Sequence, residues 1–155
     1  MSITTTTHLN FRGTARQALE FYRSVFGGTV SIATYGDFGM PADVPGADKV
    51  VFGLLHTGDG LRLMSYDIPG HDTTDTAAIA GATRRENGMT ITDRTFFQSL
   101  QGSSLAEVRV LWDALADGAA IIEPLAASAW SAGFGMLTDR YGVTWVVDVA
   151  GPGNR

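Results

Sequence analysis

FGMLTDRYGVTW (Phe134–Trp145) repeats the pattern of FGLLHTGDGLRL (Phe52–Leu63). An offset of 82 places Phe52 and Gly53 on Phe134 and Gly135, Leu55 on Leu137, Gly60 on Gly142 and Leu63 on Trp145. Each stretch reads as two strands around a turn. Residues 57–60 (Thr-Gly-Asp-Gly) close the first hairpin, with Asp59-Gly60 able to take the positive φ angles of a tight turn, and residues 139–142 close the second. The strands are expected over Lys49–His56 and Leu61–Asp67, then Phe134–Thr138 and Val143–Val149.

Working back from each hairpin, the same elements recur in the same order. Ala15, Ala18, Leu19, Tyr22 and Phe26 fall on one helical stripe, with Thr14 as N-cap and Gly27-Gly28 as the stop. An offset of 90 puts Ala18 on Val108, Phe21 on Leu111, Tyr22 on Trp112, Val25 on Leu115, Gly28 on Gly118 and Ile32 on Ile122. The second helix is therefore expected over Leu105–Leu115, capped by Ser103 or Ser104 and stopped by Gly118. Alternation over Ile3–Phe11 predicts an opening strand, and Thr95–Leu100 its counterpart at an offset of 89, which aligns Phe11 with Leu100 and Gly13 with Gly102. Thr29–Thr34 and Ala120–Ile122 complete the pattern, with a loop over Gly36–Asp48 and another holding Pro124 and Trp130. Three registers in order indicate an internal duplication.

The expected fold is α+β: two βαβββ modules, residues 1–69 and 94–155, joined by a crossover over 70–93 that shows no sustained periodicity. One such unit buries little alone. Two can pair into a curved eight-stranded mixed sheet, helices outside, whose concave face is a natural small-molecule cleft. At 155 residues a single domain is expected, burying roughly two-thirds of its unfolded surface. The net charge of −5, with Arg84-Arg85 as the sole adjacent basic pair, argues against a nucleic-acid partner. The absence of cysteine removes disulfides and thiolate chemistry. No apolar run approaches membrane-spanning length and residues 1–10 carry no apolar signal core, so a cytoplasmic protein with no membrane partner is expected.

Several pieces together resemble the vicinal oxygen chelate superfamily, which unites glyoxalases, bleomycin-resistance proteins and extradiol dioxygenases, and within it the PhnB-like branch. They are Ala18–Tyr22 with Phe26–Gly28, Thr34–Asp37, Leu63–Pro69, Trp130, Phe134-Gly135 and Asp139–Trp145, spanning nearly the whole chain. The resemblance implies paired βαβββ modules and a homodimer. It also implies four metal-ligand positions, which fall on His8, Met64, Phe97 and Val146. Of these only His8 suits a divalent metal, because Met is a soft ligand and Phe and Val are none. No cofactor is therefore expected; the alternative is a divalent metal in an unorthodox site completed by water, substrate, Asp67 or Asp148.

His8 shares a strand face with Asn10, and its ordinary titration range suits proton transfer at neutral pH. It reads equally well as a hydrogen-bonded strand histidine. His56 and His71 read as solvated. Tyr35, Phe38 and Met40 in one long loop and Trp130 in the other are candidate pocket walls, or packing against a partner subunit. Arg62, Tyr66, Thr144 and Asp148 share strand parity with Met64 and Val146, and Arg62 could anchor an anion or be merely solvated. Trp112 and Trp145 read as core. The expected site is thus His8 as proton-transfer group, with Asn10, Tyr35, Arg62, Tyr66, Ser99 and Trp130 binding substrate. The function expected is that of a glyoxalase/bleomycin-resistance-like protein binding or transforming a small molecule. A non-catalytic drug- or metabolite-sequestering protein and a metal-dependent lyase or dioxygenase are the alternatives.

Overall fold

The computed structural model describes residues 3–72 and 83–151. The chain divides into two compact units, Met1–Thr74 and Asp75–Arg155. Each contains the anticipated βαβββ order, and the eight strands hydrogen-bond as two open four-stranded sheets.

In the first unit β1 (Thr7–Phe11) leads to α1 (Ala15–Phe26), then β2 (Thr29–Thr34), β3 (Val50–His56) and β4 (Arg62–Asp67). The sheet order is β1-β4-β3-β2, with β1 parallel to β4 and the other pairs antiparallel. β1 starts later than its alternation suggests. Its pairing with β4 begins at Thr7 opposite Leu63, one residue past the start of β4 at Arg62, so the residues before Thr6 have no β4 strand beside them. One sheet face lies beneath α1: Leu9, Phe11, Leu55 and Leu63 are buried there with Ala15, Ala18, Leu19 and Tyr22 of the helix. Gly53 permits this approach, since a Cβ there would stand 2.4 Å from Leu19 Cδ1. Its repeat equivalent Gly135 does the same under the second helix, where a Cβ would meet the Trp112 ring at 2.7 Å. The paired glycines of the opening motif thus mark where helix meets sheet.

The second unit opens with a hairpin in what looked like unpatterned crossover: β5 (Arg84–Glu86) and β6 (Met89–Ile91). Asn87, at φ 50°, and Gly88 form its turn, the strongest short hairpin signal there is. Three-residue strands are too short for alternation to show, so periodicity gave no sign of these strands within the 70–93 segment. Residues 73–82 of that segment lie outside those described. Next come β7 (Gln98–Gly102), α2 (Leu105–Ala116), β8 (Ala120–Ala126), β9 (Phe134–Thr138) and β10 (Thr144–Val149), in sheet order β7-β10-β9-β8. Val108, Trp112 and Leu115 of α2 are buried with Leu137, Trp145, Val147 and Val149 of this sheet. Trp112 and Trp145 are core, as expected. Pro124 sits inside β8 and not in a loop. β8 is an edge strand whose register shifts on both sides of Glu123, and an edge or a bulge is where a missing N–H does no harm.

β7 also begins three residues later than expected, and this moves the repeat register. Val146 faces Ser99 across β10 and β7 as Met64 faces His8 across β4 and β1. The opening strands therefore align at an offset of 91, Leu9 on Leu100 and Phe11 on Gly102, and the following turn has lost a residue, not gained one.

The two helices start differently. At α2, Ser104 Oγ accepts from Glu107 N at 3.2 Å, while Glu107 Oε2 accepts from both Ser103 N and Ser103 Oγ at 2.8 Å. This is a capping box displaced by one residue, and the Ser103 bonds hold the Glu107 carboxyl below the usual glutamate range. Ser104 is the cap and Ser103 supports it. At α1, Thr14 makes no side-chain capping bond. The acceptor comes from the sheet instead: Asp67 Oδ1 accepts from Gly13 N and Ala15 N, both at 2.9 Å, and Asp67 Oδ2 accepts from Val50 N at 2.9 Å.

Candidate functional site

Strand parity leaves one face of the first sheet without a helix. It carries His8 and Asn10 from β1 and Arg62, Met64 and Tyr66 from β4. His8 Nδ1 and Asn10 Oδ1 are 3.0 Å apart. Because an amide oxygen can only accept, Nδ1 is the donor in this pair and Nε2 is the ring nitrogen left for a ligand. The Tyr66 ring meets His8 edge-on at 5.4 Å between centroids. Arg62 Nε donates to Thr6 Oγ1 at 3.2 Å, and its side chain is otherwise in solvent. His8, Asn10, Tyr66 and Arg62 therefore share one open face. An oriented imidazole beside an aromatic edge can hydrogen-bond to a bound molecule or exchange a proton with it.

Tyr35 lies at the end of β2, where its hydroxyl donates to the Asp67 carbonyl at 2.7 Å. Burial, with the nearby Tyr66 and Asp67 charges, raises its pKa above the usual phenol value. Tyr35 and Met40 line a cavity of about 290 Å³ at the mouth of the 36–48 loop, which His71 also reaches. Phe38 is not in that lining and is 74% exposed.

Ser99 and Trp130 belong to the second unit. Ser99 stands on the open face of β7 beside Gln101, whose amide donates to Asp148 Oδ2 at 3.1 Å. Trp130 is exposed and meets Phe134 edge-on at 5.4 Å. The 84–91 hairpin adds residues that strand parity did not single out. Arg85 Nη1 donates to Thr90 Oγ1 at 3.0 Å, Nε reaches Glu123 Oε2 at 3.4 Å, and the guanidinium lies 5.4 Å from the Phe134 ring centroid. Thr90 Oγ1 in turn donates to Met136 Sδ at 3.6 Å. The Asn87-Gly88 turn was the signal that could have located this group.

In the strand register Met64 pairs with His8 and Val146 with Ser99, while Phe97 precedes β7. A histidine, a methionine, a serine and a valine do not suit a hard divalent cation. Asp67 cannot complete the set, because it lies on the helix-covered face with both oxygens accepting backbone N–H groups. Asp148 Oδ2 accepts from the Gln101 amide. Among the described residues no three His, Cys, Asp or Glu side chains gather as they would around an ion. In the same residues no helix is long and apolar enough to cross a membrane.

Comparison with known proteins agrees with this architecture. The family model described as Glyoxalase/Bleomycin resistance protein/Dioxygenase superfamily matches residues 7–147. Protein PA1353 from Pseudomonas aeruginosa is 32% identical, with 96% of this chain and 98% of that one covered at a TM-score of 0.73. A PhnB protein from Bacillus cereus is 26% identical over 96% of this chain and 100% of its own, at a TM-score of 0.67. A glyoxalase-related enzyme from Fulvimarina pelagi, 14% identical over 97% and 89% with a TM-score of 0.52, shares the fold. No curated protein matches the chain.

Proposed function

Because this chain belongs to the glyoxalase/bleomycin resistance protein/dioxygenase superfamily, we propose that it binds a small organic molecule against the open face of its first sheet, without that superfamily's divalent metal centre. The observation that carries the reading is the pairing of His8 with Met64 and of Ser99 with Val146. It leaves one hard-metal ligand among four positions, while His8 is oriented by Asn10 and flanked by Tyr66. His8 Nε2 is the proton acceptor, Asn10 and Tyr66 position the ligand, and Arg62 favours an anionic group on it. In the second unit, taken by itself, Ser99, Trp130 and Arg85 are the candidate ligand contacts.

A sequestering role without chemistry is the second reading. It is favoured by the aromatic surface around Trp130 and Phe134 with Arg85 beside it, which suits capture of a flat molecule. As part of the same proposal the protein is a cytoplasmic homodimer. The dimer is supported by large apolar side chains left on the surface, Phe96 at 56% and Val110 at 69% exposure among them. Sizing chromatography checks the dimer and cell fractionation the location.

Bleomycin, a glutathione–methylglyoxal hemithioacetal and catechol separate the readings. The expected result is ligand-induced thermal stabilisation that is lost in His8→Ala, with no turnover of hemithioacetal or catechol in the presence of added divalent metal. Metal-dependent turnover of either compound would overturn the proposal. Stabilisation by bleomycin, recovered unchanged, would select the sequestering role.

A further inference from the structure

We infer that the first unit carries a second small-molecule site, separate from the His8 face, built to take a compact carboxylate with a hydrocarbon body. The cavity of about 290 Å³ lies between the 36–48 loop and the chain leaving β4. Counting about 30 Å³ for each position a water would occupy, it has room for roughly ten non-hydrogen atoms. Its walls are largely apolar, from Met40, Ile68 and Pro69 and the ring of Tyr35.

The lysine in its wall is Lys49, which stands there with Asp67, His71 and Asp72. Its ammonium is held by two long contacts, 3.4 Å to the Gly13 carbonyl and 3.5 Å to Asp72 Oδ1. A charge-assisted bond to a well-placed carboxylate is about 2.7–2.9 Å, so a ligand anion can offer Lys49 more than it now has. The Lys49 side chain is 29% exposed and that of Asp72 is 74% exposed, so Asp72 can turn out to water while the ammonium stays at the cavity. Asp67, the other carboxylate in the wall, has both oxygens accepting backbone N–H groups, whose dipoles offset part of its charge toward an incoming anion. An anion with an apolar body is the chemistry that matches one half-buried ammonium in an apolar cavity.

Phenylacetate, with neutral phenylacetamide and cationic phenethylamine as isosteres, probes the full-length chain by amide NMR titration. Phenylacetate is expected to shift the resonances of Gly46, Lys49, Ile68 and Gly70, and to bind at least tenfold more tightly than either isostere. Lys49→Met is expected to lose at least tenfold in affinity and Lys49→Arg to retain binding. Asp72→Asn changes an exposed side chain and removes the competitor for Lys49, so it should bind more tightly. Undetectable phenylacetate binding, equal binding of phenylacetamide, or no tightening in Asp72→Asn would each overturn the inference. So would shifts clustered at His8, Asn10 and Tyr66, which would reassign the anion to the open face. Failure here leaves the reading of the His8 face standing, because no residue is shared.

Discussion

Asp67→Ala is expected to destabilise the fold by about 4 kcal/mol, because it orphans three buried N–H groups that each cost about 1–3 kcal/mol unless water reaches them. Those donors are Gly13 N and Ala15 N at the start of α1 and Val50 N at the start of β3. The carboxylate therefore ties three segments together at one buried point, and alanine removes the acceptor while leaving every donor in place. Asp67→Asn should fall between the two. Its oxygen can still serve one end of the triad, but its NH2 must oppose a backbone N–H at the other. Urea denaturation of the variants checks this, and a loss below about 1 kcal/mol for Asp67→Ala, the net worth of one ordinary hydrogen bond, would contradict it.

Trp145→Ala is expected to cost about 3–5 kcal/mol, the range for truncating a fully buried aromatic residue. Trp145 is wholly buried in the inner strand β10, and its indole N–H donates to Asp139 Oδ2 at 2.8 Å. Asp139 Oδ1 also accepts from Tyr141 N at 2.8 Å and Val143 N at 3.1 Å, so the tryptophan couples the core to the closing turn of the β9–β10 hairpin. Trp145→Phe separates the two contributions. It keeps much of the burial and removes the indole donor, so its loss should be smaller than that of alanine yet larger than about 1 kcal/mol. If phenylalanine and tryptophan proved equally stable, the coupling to Asp139 would be without consequence.

The duplicated hairpins were legible in the sequence because their glycines and apolar residues answer to the same packing demand. Gly53 and Gly135 each admit the helix above them, and a substitution tolerated at a loop would not be tolerated there. Both helices were legible from their apolar stripes, down to Tyr22 and Trp112 at equivalent places. The start of α1 was less so. Periodicity reports faces and not partners, so it could not show that a carboxylate some 50 residues away caps the helix. The signal was indirect: α1 has no acidic residue in its first turn, whereas α2 has Ser104 and Glu107.

The candidate site was legible in part for the same reason. Strand parity alone put His8 with Asn10 and Tyr66 with Arg62 on one face. It could not fix the register of β7, because the consecutive Phe96 and Phe97 imitate strand while the chain begins pairing only at Gln98. In the pairing register it is Ser99, and not Phe97, that faces Val146. Arg85 was missed because a pair of arginines reads as surface charge until the Asn87-Gly88 turn folds one of them back toward Glu123 and Phe134.

The central claim, that this superfamily member has lost the divalent centre while keeping the scaffold, is tested most directly by metal binding. Protein purified without chelator is analysed for bound metal and then titrated with zinc, nickel and manganese, alongside His8→Ala. The account predicts substoichiometric metal as purified and no binding that distinguishes the two proteins. One tightly held equivalent per chain, abolished in His8→Ala, would contradict it.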